Sequence, residues 1–261
     1  MSAASGSDAA EAAGADATNI PDDHPRAASL RTRERMKAAV TAGLVHGTGL
    51  IAHGRGEAFD YLLGEQTPPE SRAAIAEGAA LLRQARQPVL SLNGNVVALA
   101  ARACVEVAHA LPSLRLEVNL FHRTEERVRR LVAAMEEAGA RPGEVLGPDP
   151  DHRIPGLSSD RARCHRAGIG EADVVLVPLE DGDRCQALKA MGKTVVTVDL
   201  NPLSRTARAA DVTIVDELTR VLPLLAQALR EGSPRPPGFD NGQNLQAVRR
   251  RMAQNLLQDL Q

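Results

Sequence analysis

The chain has 261 residues, with 31 Lys and Arg against 33 Asp and Glu for a formal net charge of -2. That balance excludes the broadly basic surface a nucleic-acid backbone requires, and no apolar run approaches the roughly 20 residues that span a bilayer. Hydrophobic residues make up 43% but aromatic ones only 2%, with no Trp, so the core is expected to be built from Ala, Val, Leu and Ile.

Residues 1–22, rich in Ala, Gly, Ser and Asp, have little to bury and are expected to be disordered. They lack the apolar core of a secretion signal. Cys104, Cys164 and Cys185 share no metal-ligand or C-x-x-C spacing, which points to structural thiols in a reducing compartment and a soluble, cytoplasmic protein. From Pro25 onward Leu30, Met36, Val40 and Leu44 fall at helical intervals, and Gly43 is placed to end that helix. A glycine-rich turn follows, then a helix near 57–63. Pro68-Pro69 opens a third helix with Ile75, Leu81 and Leu82 inward.

The pattern then alternates between strand and helix. Val89 to Leu92 read as a strand stopped by Asn93-Gly94-Asn95, feeding a helix over 96–110. Residues 114–121 read as a strand, 124–138 as a charged helix ended by Gly139, and 144–146 as a short strand. Residues 147–158, rich in Pro, Gly and Asp, read as a loop of the kind that carries ligands. Apolar strands over 172–179, 194–200 and 211–215 alternate with helices at 186–191, 205–210 and 218–229. This order predicts an α/β fold, a mostly parallel Rossmann-like sheet covered by helices, with a helical N-terminal region and one domain over 23–231. Residues 232–238 read as a proline-rich linker. An amphipathic helix over 245–260, through Val248, Met252, Leu256, Leu257 and Leu260, has three open destinations: the body, a partner subunit, or nothing stable.

In such sheets ligands gather beyond the carboxyl ends of the strands. That rule selects Asn93 to Asn95, residues 119–123, residues 180–184 and residues 199–206. Neither a phosphate loop ending in G-K-[ST] nor a G-x-G-x-x-G after a strand is present. Asp199 ends a strand as an acceptor for hydroxyls. Ser204-Arg205-Thr206 either caps the next helix or donates to phosphate, two compatible roles. Asp181 and Asp183 flank Gly182 at a spacing that suits Mg²⁺ or a simple turn. His53-Gly54-Arg55-Gly56 sets an imidazole and a guanidinium among glycines, with His53 either a base or an ordinary packed histidine. Lys189 and Lys193 lie close in sequence, as candidates to meet phosphate. The arginines between 123 and 130 read as a solvated helix face.

Several of these segments occur together in one known family. His24-Pro25-Arg26, Arg33-Glu34, the stretch 49–62 (GLIAHGRGEAFDYL), Asn93-Gly94-Asn95, Glu117 to Phe121, Arg153 to Leu157, Pro178 to Arg184 and Asp199 to Thr206 closely resemble the archaeal-type phosphopantothenate synthetases, also called 4-phosphopantoate-beta-alanine ligases. The resemblance covers about 21–230; the ends beyond it depart from the usual family length.

It implies a homodimeric enzyme of coenzyme A biosynthesis that joins 4-phosphopantoate to beta-alanine with ATP, forming AMP and diphosphate through an acyl-adenylate. It places nucleotide contacts on Arg33, Arg55, Asp199, Leu200, Asn201, Ser204, Arg205, Thr206, Val215 and Asp216. Arg55 and His53, with Lys189 and Lys193, are the candidates for handling phosphate charge. His24, Arg26, Asn93, Asn95, Asn119 and Arg123 are the candidate substrate contacts, and Asp181 and Asp183 the candidate Mg²⁺ ligands. A small-molecule kinase, another carboxylate-amine ligase and a non-enzymatic nucleotide sensor stand beside this reading.

Overall fold

The computed structural model describes residues 20–24 and 26–258. Pro25, Leu260 and most of the segment expected to be disordered lie outside them. Among the described residues three helices come first: α1 (Ala27–Thr41), α2 (Gly47–Leu63) and α3 (Pro69–Gln84). α1 buries Met36 and Ala39, and the chain turns out of it at Gly43, whose φ of +72° suits a residue without Cβ.

The glycine-rich stretch is not the expected turn but the body of α2. Each helical glycine costs roughly 1 kcal/mol relative to alanine, and at Gly49 close packing accounts for it. A Cβ on Gly49 would lie 2.3 Å from Asn95 Oδ1 and 2.7 Å from Val45 Cγ1, so no larger residue fits there. The His46 ring accepts from the Thr48 amide at 3.3 Å and caps the helix.

The sheet then builds in two halves. The first is β1 (Pro88–Leu92), α4 (Gly94–Ala110), β2 (Arg115–Val118), α5 (Glu125–Glu137) and β3 (Val145–Leu146). An excursion follows, in which β4 (His152–Arg153) pairs antiparallel with β5 (Arg163–Cys164) and runs into a π-helical turn at Arg166–Gly170. The second half is β6 (Val174–Leu176), α6 (Gly182–Ala190), β7 (Thr194–Val198), α7 (Arg205–Ala209) and β8 (Val212–Ile214). The six sheet strands are parallel in the order β3-β2-β1-β6-β7-β8. The chain starts in the middle and winds outward in both directions, leaving a crevice between β1 and β6 where the winding reverses.

Alternation along the strands explains the two covering layers. Leu90, Leu92, Leu176, Val196 and Ile214 face a core shared with α1, α3, α4, α5 and α8 (Leu218–Glu231). Val89, Val175, Val177 and Val195 face the other way, onto Cys185 and Leu188 of α6 and onto Ile154 and Ile169 of the excursion. The final helix, α9 (Asn241–Gln258), docks on the body: Leu245, Val248 and Met252 pack with Leu63, Leu200 and Val215. Among the described residues no helix is long and apolar enough to cross a membrane.

Candidate active site

The side chain of Asn93 bridges the two sides of the crevice. Asn93, directly after β1, accepts from the Val96 amide at 3.1 Å to cap α4, while its Nδ2 donates to the carbonyls of Pro178 at 3.1 Å and Leu179 at 3.2 Å beyond β6. Leu179 adopts φ +53°, a conformation uncommon for a side chain of its size, and the backbone there is strained.

Two cavities open above this joint. One, of about 760 Å³, is lined by Arg55, Arg127, Arg161, Arg184 and Arg205 together with His46 and His122. Asp181 and Asp183 are the acidic residues on that wall, so the compartment is predominantly cationic. The other, of about 630 Å³, is lined by His53, Glu57, Asp199, Leu200, Asn201, Ser204 and Glu217. Ala52, Arg55, Asn95, Leu179 and Asp181 belong to both walls. Arg55 makes no hydrogen bond or ion pair with the described residues, so its guanidinium is unengaged where the compartments meet.

The second compartment is lined by carboxylates and small polar groups, Asp199, Asn201 and Ser204 among them. Asp199 accepts from the Asn201 amide at 2.9 Å and from Ser204 Oγ, and burial raises its pKa above the ordinary carboxylate value despite those bonds. Ser204 also accepts from the Ala207 amide at 2.9 Å, so it is the cap of α7 as well as a cavity residue. His53 is held below its usual pKa, chiefly by burial, and presents a neutral imidazole near pH 7.

The remaining residues singled out in the sequence divide into three groups. Asn93, Asn95, Leu200, Asn201, Arg205, Asp181 and Asp183 join His53, Arg55, Asp199 and Ser204 around the cavities. Asn119, Arg123, Thr206, Val215 and Asp216 lie just beneath. Asn119 accepts from Ser91 at 2.8 Å, Arg123 donates to Gly147 O at 2.8 Å, and Thr206 donates to Glu180 O at 2.7 Å. Val215 O accepts from Ser71 at 2.6 Å, while Asp216 pairs with Arg220.

Arg33, His24 and Arg26 lie outside both cavity walls. Arg33 forms a fork to Glu57, His24 accepts from the Arg26 amide, and Arg26 donates to the Tyr61 hydroxyl. Lys189 and Lys193 do not reach the site. Lys189 pairs with Asp211 before β8, while Lys193 donates to Gly170 O and Ala172 O before β7, at the amino edge of the sheet. Closeness in sequence, on which these two lysines were singled out, carries no information about which end of the sheet they occupy. The thiols of Cys104, Cys164 and Cys185 are buried and pushed up to about 12, which leaves them chemically inert.

The carboxylates of Asp181 and Asp183 are engaged by Arg161 at 2.8 Å and by Arg205 at 3.0 Å. No group of three or more His, Cys, Asp or Glu side chains poised to hold a metal occurs among the described residues. The pair does not fit a protein-built Mg²⁺ cage.

Sequence reasoning missed Arg127, Arg161, His46 and His122. Arg127, read as part of a solvated face, instead turns inward and donates to Leu44 O at 3.0 Å and His122 O at 2.8 Å. His46 and His122 stack with centroids 4.0 Å apart at the rim. The basic cluster at 123–130 was the available signal for Arg127; nothing in local pattern marked Arg161.

Comparison with known proteins decides the lineage. The family model described as phosphopantothenate/pantothenate synthetase matches residues 70–255, most of the chain. The chain belongs to that family. A 4-phosphopantoate--beta-alanine ligase from Thermococcus kodakarensis is 51% identical over 213 residues, covering 82% of this chain and 81% of that one. The enzyme of the same name from Thermococcus onnurineus is 46% identical over 237 residues, 88% and 90% of the two chains. The one from Methanosarcina mazei is 50% identical over 214 residues, 82% and 83%. The family match takes in the sheet, Asn93 and Asp199, whereas α2 with Arg55 precedes it.

Proposed function

We propose that this family member is an ATP-dependent 4-phosphopantoate-beta-alanine ligase, which condenses (R)-4-phosphopantoate with beta-alanine to give 4'-phosphopantothenate, AMP and diphosphate in coenzyme A biosynthesis. Relatives of that name at 46% to 51% identity support the reaction. The observation that carries the reading is the pair of compartments joined at an unpartnered Arg55. A nucleoside suits the side of Asp199 and Asn201; a phosphorylated acid suits the side of the five arginines.

The chemistry follows from a carboxylate being a poor electrophile. One carboxylate oxygen of phosphopantoate attacks the α-phosphorus of ATP, the bond to the bridging oxygen breaks, and diphosphate leaves. The amine of beta-alanine then attacks the acyl carbon, AMP leaves with that carboxylate oxygen, and the amine gives up a proton as the amide forms. Arg55 stands where negative charge accumulates in the first step, and its unpartnered guanidinium offers a planar donor fork to that charge. The walls of the crevice limit access of water to the mixed anhydride. Any Mg²⁺ would arrive with the nucleotide phosphates, since the aspartates are paired with arginines, and no step here passes through it.

Incubation of the protein with ATP, Mg²⁺, 4-phosphopantoate and beta-alanine should yield the amide mass together with AMP. ADP without amide would favour phosphoryl transfer, and ATP bound but unconsumed would favour a sensor. The homodimer is likewise a proposal, supported by the exposed Ile51 (65%) and Tyr61 (42%) on α2. Sedimentation at micromolar concentration should give twice the 27.7 kDa chain mass; a monomer would remove this part of the reading.

A further inference from the structure

α2 roofs both cavities with a face that carries few large side chains. Gly49, Ala52, Gly56, Asp60 and Leu63 recur at intervals of three and four, which places them on one side of the helix. That side meets the body: Gly49 abuts Asn95, Ala52 lines both cavities, Gly56 faces Leu200, and Asp60 and Leu63 are buried. Two glycines and an alanine bury little apolar surface, so the hydrophobic effect holds this helix at Leu63 and only weakly before it. Polar bonds do the rest. Asn95 donates to Gly49 O at 2.9 Å near one end, and Asn255 of α9 donates to Leu62 O at 2.9 Å at the other. Glu57 pairs with Arg33, which ties α2 to α1 rather than to the sheet.

The link between α2 and the sheet runs through Arg220 on α8. Its Nη1 donates to Asp60 Oδ2 at 3.1 Å and its Nη2 to Asp60 Oδ1. The same Nη2 reaches Asp216 Oδ1 at 2.6 Å, and Nε reaches that oxygen at 3.0 Å. Asp216, just beyond β8, also accepts from Thr67 Oγ1 at 2.6 Å and from the Glu217 amide at 2.8 Å, so it is fixed in place. Asp60 is 8% exposed and Asp216 1%. Two buried carboxylates that share one Nη2 repel each other once the cation is removed. A planar fork meets both together, which the point charge of a lysine does not. The bridge therefore sets how far α2 stands from the end of β8.

Arg55 precedes Asp60 on the same helix by about 7.5 Å of axial rise, so a shift at Asp60 is carried along the helix to Arg55. Misplacing a reacting or stabilising group by about 1 Å can cost roughly 100-fold in rate. We propose that Arg220 is a positioning residue: by holding Asp60 of α2 and Asp216 beyond β8 in one guanidinium, it fixes α2 over the crevice and keeps Arg55 on the wall the two cavities share. This rests on the ligase reading and adds to it the group that places Arg55.

The test is a double-mutant cycle on kcat, with the wild type, Arg220→Gln, Arg55→Ala and the double variant supplied with ATP, Mg²⁺, 4-phosphopantoate and beta-alanine. In Arg220→Gln kcat should fall about 10-fold or more, while KM for ATP stays within about threefold of wild type. Arg220→Lys should recover part of kcat. With Arg55→Ala already in place, Arg220→Gln should have no further effect, because the group it positions is gone. Effects that multiply overturn the proposal, and so does a loss confined to KM for ATP, which would make Arg220 a nucleotide contact. Should Arg220→Gln fail to fold, Asp60→Asn, which leaves the pair of Arg220 and Asp216 in place, takes its position in the same cycle. Amide hydrogen exchange on these variants supplies a readout apart from activity. Exchange should quicken in α2 and stay unchanged in α5; acceleration in both, or in neither, overturns the proposal. If the wild type makes no amide, the ligase reading fails, and the exchange pattern alone decides whether Arg220 holds α2.

Discussion

At the scale of single residues, the site separates groups that hold the fold from groups that do not. Arg55 makes no hydrogen bond or ion pair with the described residues, so Arg55→Ala should leave the circular dichroism spectrum and thermal transition unchanged. Turnover should fall at least about 100-fold, as expected when a donor to developing charge is lost (about 3 kcal/mol). Wild-type kinetics in this variant would take Arg55 out of the mechanism. Asp199 behaves oppositely. Burial raises its folded-state pKa, so the folded protein binds the proton more tightly than the unfolded one does. Stability from this group is present below the ordinary carboxylate pKa and is lost as pH rises through the folded value. Asp199→Asn should therefore melt higher than wild type at pH 7 but not at pH 3, while its KM for ATP rises at least tenfold, roughly 1.4 kcal/mol. A lower melting temperature at pH 7 would show that the carboxylate is held by more than its two bonds.

Among elements, α9 shows how a helix remote from the chemistry positions it. Met252 is 6% exposed and packs in the same cluster as Leu200, which lines the cavity beside Asp199. Met252→Ala should cost about 2 kcal/mol, the low end for such truncations, and should raise the KM for ATP. Met135→Ala, buried on α5 away from both cavities, should destabilise similarly without moving that KM. Equal KM effects would reduce α9 to general ballast. The sequence made the strands and most helices legible because Val89 to Leu92 and 194–200 are apolar runs bounded by polar turns. It did not reveal α2 as one long helix, since glycines at 47, 49, 54 and 56 read as a turn, and only Gly49 and Gly56 meet neighbours, Asn95 with Val45 and Leu200, that sequence proximity does not show. The excursion between β3 and β6 was illegible for a related reason. Glu117, 0% exposed, holds it by accepting from the amides of His165 at 3.0 Å and Ile169 at 2.7 Å, and those partners lie about fifty residues away. The strand-end rule located Asn93, Asp181 and Asp199, but Arg161 enters the site from that excursion.

Over the whole molecule, the sheet order places the carboxyl ends of β1, β6 and β7 side by side, and the N-terminal helices close the crevice from above. The outcome is two adjoining cavities, one lined mainly by arginines and one by Asp199, Asn201 and Ser204, with Arg55 on the wall they share. The central claim is that an acid bound in one half captures AMP from a nucleotide bound in the other. Phosphopantoate labelled with ¹⁸O in its carboxylate tests this most directly, with product AMP and diphosphate read by mass spectrometry. The account predicts one ¹⁸O atom in each AMP and none in diphosphate. Unlabelled AMP, or label appearing in inorganic phosphate beside ADP, would contradict it.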